Sequence, residues 1–238
     1  MLASCNTPVN PIIIGHRGAR GHVAENTLPS IKKAMELGVD AVEIDVFKCA
    51  SGELVVFHDV LLDKLTNSTG YIESLDLDSI QKIKVLDGFK IPTLEEVLNL
   101  IEGKILLNIE LKGTQTAVLT HQLLQSYFEV GSWSEDKIII SSFNWQELVL
   151  FYEVNQLVPI AVLTEADPLD AIPIAKQLNA QAINPHYQAL NKENVKKMKS
   201  ENFKIYPWTV NAPEDINNMI SLGVDGIITD FPERVPKK

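Results

Sequence analysis

The chain has 238 residues, 45% of them hydrophobic, and a formal net charge of −10, which is material for one sizeable globular domain. The acidic balance argues against nucleic acid as a partner, because phosphate backbones select basic surfaces, and no stretch approaches the roughly 18–20 apolar residues of a membrane-spanning helix. Cys5 and Cys49, the two cysteines, provide neither a disulfide framework nor a zinc-binding spacing. An acidic protein that binds an anionic substrate needs a local positive patch or a metal ion.

At the N-terminus, Leu2-Ala3-Ser4-Cys5 resembles the end of a bacterial lipoprotein signal, without the charged and apolar regions that precede such a site. A cytoplasmic location is the expectation. A periplasmic or lipid-anchored one is the alternative if the stretch is a signal remnant. Beyond it, short apolar runs predict strands at 12–14, 41–47, 54–58, 105–111, 138–141, 160–163, 182–184, 204–208 and 226–229. Amphipathic segments of helical period lie between most of them, at 28–37, 117–128, 191–199 and 213–222. Regular alternation of this kind predicts an α/β fold of parallel strands, and the chain length accommodates one TIM-type (β/α)8 barrel.

The first strand runs into Gly15-His16-Arg17-Gly18. A His-Arg pair between glycines at a strand's C-terminal end lies where β/α barrels build their sites, and the planar fork of Arg17 suits a phosphate. On the second strand, Glu43 and Asp45 share one face while Val42, Ile44 and Val46 share the other. Two anions on one wall are costly unless a cation lies between them or one carries a proton. A strand with one face in water is the plainer alternative for such a pair taken alone.

Cys49-Ala50-Ser51-Gly52 is too short for a helix and predicts a β-hairpin after the second strand. Turning over those four residues would set Glu53 opposite Lys48 and His58 opposite Glu43. Further on, Asn108, Glu110 and Lys112 share a strand face, so Glu110 is a third candidate oxygen ligand and Lys112 a cation for phosphate. Three carboxylates suit a hard divalent ion, Mg²⁺ or Ca²⁺, better than zinc. Trp208, at the end of a late strand, is a candidate wall for the organic part of a substrate, with rim packing as the alternative. His22, His121 and His186 read as surface or structural residues.

Leu37-Gly38-Val39-Asp40-Ala41-Val42-Glu43-Ile44-Asp45 and Leu222-Gly223-Val224-Asp225-Gly226-Ile227-Ile228-Thr229-Asp230 resemble each other. Each reads as a helix ending on glycine followed by a strand ending in Asp. Where the second copy has Ile228 the first has Glu43, so the fold does not require an acid there.

Taken in order, Gly15-His16-Arg17-Gly18, Glu25-Asn26-Thr27, Glu43-x-Asp45-Val46, Val56-Phe57-His58-Asp59, Ile91-Pro92-Thr93-Leu94, Ile109-Glu110-Leu111-Lys112, Trp208-Thr209-Val210-Asn211 and Gly226-Ile227-Ile228-Thr229-Asp230 resemble the glycerophosphodiester phosphodiesterases, in their compact bacterial form. The resemblance implies a single barrel domain over residues 1–238 with a small insertion at about 60–90. It implies metal-dependent cleavage of glycerophosphodiesters to sn-glycerol 3-phosphate and an alcohol. It further implies that His16 and His58 are the general acid/base pair, that Glu43, Asp45 and Glu110 hold one divalent cation (Mg²⁺ or Ca²⁺, with Mn²⁺ as an alternative), and that Arg17 and Lys112 contact the phosphate. Cys49-Ala50-Ser51-Gly52 departs from the family's usual Thr-Lys-Asp-Gly turn, and Asp63-Lys64-Leu65-Thr66 from its Asp-Arg-Thr-Thr pattern. The alternative functions are a related barrel phosphodiesterase acting on lysophospholipids and a non-catalytic phosphate- or metal-binding barrel. Oligomeric state has no clear sign in the sequence.

Overall fold

A computed structural model describes residues 10–237, so the Leu2–Cys5 stretch lies outside the described residues. In chain order the elements are β1 (Ile12–Gly15), α1 (Leu28–Glu36), β2 (Ala41–Lys48), β3 (Leu54–Val56), α2 (Leu77–Ile80), α3 (Leu94–Ile101), β4 (Leu106–Leu111), α4 (Ala117–Glu129), β5 (Ile138–Ser142), α5 (Trp145–Val154), β6 (Ile160–Thr164), α6 (Ile172–Gln177), β7 (Ala182–Pro185), α7 (Lys192–Ser200), β8 (Lys204–Ile205), α8 (Pro213–Leu222) and β9 (Gly226–Thr229). None of these helices is long and apolar enough to cross a membrane.

The helices begin where local chemistry favours it. Thr27 caps α1 by accepting from the Ser30 amide, with Pro29 in the first turn, where its missing N–H costs nothing. Asn191 caps α7 in a reciprocal capping box with Asn194. The repeated helix-to-strand unit is also seen in three dimensions. Gly38 and Gly223 take left-handed φ values of 75° and 77°, which glycine adopts without a Cβ penalty. The Asp40 carboxylate accepts from the Ile13 amide at 2.8 Å, and Asp225 does the same for Ile205 at 3.0 Å. Each aspartate therefore ties its own strand to a neighbour.

The parallel strands follow the order β8-β7-β6-β5-β4-β2-β1-β9, and helices between them make the outer layer of a (β/α)8 barrel. The stretch predicted as a strand at 204–208 forms a regular ladder with β7 at Lys204–Ile205, is interrupted at Pro207, which has no amide to donate, and resumes as a single bridge between Trp208 and His186. The seam between β8 and β9 is instead closed by Asp225 N donating to Ile205 O and Ile228 N to Pro207 O, both at 3.0 Å. Inside the barrel, Ile14, Ala41, Ile139, Ala161, Ala182, Tyr206 and Ile228 pack below the site. Between barrel and helices lies a larger core that includes Val42, Ile44, Leu107, Ile109, Leu148 and Phe151. Each such side chain contributes about 1.5–3 kcal/mol on full burial.

β3 pairs antiparallel with β2, as the hairpin reading expects, but its register differs by one residue. Lys48 lies opposite Leu54, not Glu53, and the Cys49 amide donates to Glu53 O at 2.9 Å. The turn therefore spans Ala50-Ser51-Gly52, with Cys49 still inside the ladder. After β3 the chain makes an excursion before rejoining the barrel at α3. Phe47, Val55, Phe57, Leu62, Ile72, Ile80 and Ile91 form a separate apolar cluster beneath it.

Candidate active site

Parallel pairing of β2 and β4 sets Glu43 beside Asn108 and Asp45 beside Glu110. Alternation turns all four into the barrel, where Glu43, Asp45 and Glu110 are buried. One oxygen from each carboxylate lies within 4.8 Å of the others, an arrangement that could hold a metal ion. Neighbours engage one oxygen of each acid. Arg17 N donates to Glu43 Oε2 at 2.9 Å, Asn26 Nδ2 to Asp45 Oδ2 at 2.9 Å, and Lys112 Nζ lies 3.1 Å from Glu110 Oε1. Glu43 Oε1 and Asp45 Oδ1 are buried without a partner. Orphaned buried acceptors cost free energy unless a cation satisfies them, so the residues present fit a hard divalent ion.

Protonation follows the same logic. Burial, and then the charges of Asp45 and Glu110, push Glu43 well above the usual carboxylate range. Burial and the Asp45 charge raise Glu110 to about 8. Asp45 is different: burial opposes its charge, but Arg17, His58 and Lys112 outweigh it and hold the group below its ordinary value. Without an ion the cluster is thus one anion beside two proton-holding acids.

His16 follows β1, its amide donating to Thr229 O at 2.9 Å. Its Nδ1 is 2.6 Å from Asp230 Oδ1, and Asn211 holds that carboxylate by donating to Oδ2 at 2.8 Å and accepting from the Asp230 amide at 2.9 Å. His58 has the same arrangement, Nδ1 to Asp59 Oδ1 at 2.6 Å, while its Nε2 faces Lys112 Nζ at 3.1 Å. Burial lowers both imidazoles below their ordinary value, and each carboxylate partner partly opposes this. A neutral ring that donates from Nδ1 to a carboxylate exposes Nε2 as a proton acceptor.

On the observed register His58 is not opposite Glu43, as the expected turn would have it. Continued as a strand, it would share a face with Ile44 and point away from the acids. It reaches the site because the chain leaves the ladder: Phe57 N still donates to Asp45 O at 3.0 Å, and His58 comes after the last paired residue.

Seven of the eight residues singled out in the sequence, His16, Arg17, Glu43, His58, Glu110, Lys112 and Trp208, line one cavity of about 380 Å³, and Asp45 is buried beside Glu110 at its base. Arg17 is less free than its sequence context suggests. Its guanidinium meets Glu25 Oε1 at 2.5 Å and Asp45 Oδ2 at 3.3 Å, and its left-handed φ of 50° aims its amide at Glu43. Trp208 donates from Nε1 to Asn184 O at 2.9 Å and is met edge-on by Phe143 and His186.

Asp230, Asn211, Asp59, Asn26, Glu25 and Arg20 also belong to the site, and nothing in their residue types alone assigns them a role. The signal was partly present, since all but Arg20 stand in the quoted motifs. Their partners, however, lie up to 214 positions away, as for His16 and Asp230.

The site thus joins two carboxylate-backed histidines, one after barrel strand β1 and one after the hairpin strand β3, to an acidic cluster that could hold a cation. Residues 16–234 match the glycerophosphoryl diester phosphodiesterase family, and the chain belongs to it. It is 37% identical over 235 residues to a glycerophosphodiester phosphodiesterase of Caldanaerobacter subterraneus subsp. tengcongensis, covering 93% of this chain and 95% of that one. It is 32% identical to the corresponding enzyme of Bacillus altitudinis, covering 94% and 96%. Among solved structures, an Oleispira antarctica phosphodiesterase in complex with the product sn-glycerol-3-phosphate is similar at a TM-score of 0.86 and 26% identity, covering 95% of each chain.

Proposed function

We propose that this chain hydrolyses glycerophosphodiesters to sn-glycerol 3-phosphate and an alcohol, using His16 and His58 as the acid–base pair. The observation that carries the reading is the pairing of each histidine Nδ1 with a carboxylate, 2.6 Å away, in a cavity also lined by the acidic cluster. Family membership and the product named for the Oleispira relative support the substrate class.

Glu43, Asp45 and Glu110 are the residues to hold one divalent cation, Mg²⁺ or Ca²⁺, with Mn²⁺ as the alternative. Such an ion supplies charge neutralisation at the phosphodiester oxygens. Lys112 and Arg17 add positive charge on the same side of the cavity, Arg17 while held by Glu25 and Asp45. One imidazole Nε2 takes the proton of the attacking hydroxyl, which belongs to water or to the glycerol 2-position. The other imidazole, which enters the step carrying a proton on Nε2, gives that proton to the departing alkoxide as its P–O bond breaks. Attack by water yields sn-glycerol 3-phosphate directly, whereas attack by the 2-hydroxyl yields a cyclic phosphate that a water molecule then opens to the same product. Trp208 forms a wall for the organic part of the substrate. The chain works as one barrel domain, with the segment 60–90 as an insertion at the rim.

A lysophospholipid substrate is the second reading. An apolar recess of about 270 Å³, lined by Phe57, Leu65, Val85 and Leu86, adjoins the cavity at Arg20, and Val60, Leu61 and Tyr71 are exposed nearby in the chain.

A panel of glycerophosphodiesters and lysophospholipids, each with Mg²⁺, Ca²⁺ or Mn²⁺, tests both. Metal-stimulated release of glycerol 3-phosphate that disappears in His16→Ala and His58→Ala is expected. Near wild-type turnover in both variants would sink the mechanism. Release from lysophospholipids alone would select the second reading.

A further inference from the structure

The cavity has two unlike halves. His16, Arg17, Arg20, His58 and Lys112, every basic side chain that lines it, come from the segments that follow β1, β3 and β4. The other half is built where β5, β6 and β8 end, by Phe143, Leu163, Glu165, Trp208 and Thr209, and carries no basic group. Its one charge is the exposed carboxylate of Glu165. Its largest surfaces are two aromatic rings, Phe143 and Trp208, whose centroids are 5.2 Å apart at 87°.

Aromatic faces beside a carboxylate attract an alkylammonium group: the rings through their quadrupole, the carboxylate through its charge. Lys112 Nζ already approaches Phe143 at 5.8 Å, so one ring of this wall accepts a cation within the protein itself. Trp208 is held edge-on by Phe143 and His186 at 5.2 and 5.1 Å, and its Nε1 is tied to Asn184 O. The indole is therefore a fixed surface, and ordering it on binding costs little.

Resting on the phosphodiesterase reading, we propose that Glu165 and Trp208 form a headgroup subsite selecting diesters whose leaving alcohol carries a positive charge, a quaternary or primary amino alcohol. The phosphate lies over the acidic cluster beside Lys112. The positively charged end extends away from Arg17, Arg20 and Lys112, which repel it, and towards Glu165. An anionic headgroup finds the reverse and is disfavoured.

The test compares kcat/KM for glycerophosphocholine and glycerophosphoethanolamine with that for glycerophosphoglycerol, whose headgroup is uncharged, at low and high salt. Selectivity is the ratio of cationic to uncharged substrate. Wild type is expected to favour the cationic diesters, less so at high salt. Glu165→Gln should cut the ratio about two- to fivefold, and Glu165→Lys should cut it further. Trp208→Leu should cut it about 2- to 30-fold. If wild type cleaves these diesters but Glu165→Gln and Glu165→Lys leave the ratio unmoved, or change every substrate equally, the headgroup assignment is overturned. If wild type cleaves none of them with any divalent ion, the phosphodiesterase reading itself fails.

Discussion

Asp230→Asn should disable His16 without removing it. Asp230 Oδ1 sits 2.6 Å from His16 Nδ1, and its other oxygen accepts from Asn211 Nδ2 at 2.8 Å. An amide replacing the carboxylate keeps its oxygen towards Asn211, which offers a donor there, and so turns its own NH₂ group to His16 Nδ1. That nitrogen must then accept, and the ring's proton moves to Nε2, the atom that faces the reaction. A charge-assisted hydrogen bond worth about 1.5–3 kcal/mol is lost, and the imidazole is left in the wrong tautomer. The expected loss in kcat is about 10²–10⁴, equivalent to roughly 3–5 kcal/mol of transition-state stabilisation, with KM changing little. His16 is already lowered by burial, with Asp230 opposing. Removing that opposition should also move the imidazole's titration to lower pH. Steady-state kinetics across pH on a glycerophosphodiester, with thermal unfolding as the control for folding, reads both effects. A variant that folds normally and keeps kcat within about threefold of wild type would refute the proposed role of Asp230.

Ion binding should be coupled to pH. Glu110, raised to about 8, and Glu43, also raised, hold protons in the folded protein that the unfolded chain releases near 4.5. Because the folded state binds more protons between those values, the metal-free protein loses stability as pH rises from about 4.5 to about 8. A divalent ion displaces the same protons, so Mg²⁺ or Ca²⁺ should raise Tm more at pH 8.5 than at pH 6.5. Calorimetry in buffers of different ionisation enthalpy should show proton release; equal Tm shifts and no proton release would contradict the assignment. Away from the cluster, the buried Glu147 carboxylate accepts from the amides of Gln115, Thr116 and Ala117 and from Thr116 Oγ1, at 2.8–3.0 Å. Glu147→Ala strands these donors at the start of α4 and should cost about 3 kcal/mol or more, lowering Tm by about 6–12 °C. A loss below about 1 kcal/mol would mean that water replaces the carboxylate fully.

Much of the barrel is legible in residue order because its signals are local. Period-2 and period-3.6 patterns need only a few neighbouring side chains, and the strands at 41–47 and 138–141 and the helix at 213–222 appear within a residue or so of those positions. The carboxylate set is legible for the same reason. An acid at an inward strand position is anomalous in place, and Ile228 at the equivalent point of the second copy packs inside the barrel without one. Features that depend on two distant segments are a different matter. The hairpin register hinges on whether Cys49 belongs to the turn or the ladder, which its backbone bond to Glu53 decides.

By itself, then, the sequence determined the alternating architecture, the three acids and the two histidines, since each is a chemical type at a spacing that local backbone geometry interprets. Tertiary structure alone decided what those groups are held by. Asp230 backs His16 because β9 closes against β1, and Asp45 adjoins Glu110 because β2 pairs with β4 in that register. Arg17 is drawn to Glu25 and Asp45 by the same packing. Orientation and protonation depend on burial and on charges brought together across the barrel, and neither quantity exists until the chain has folded.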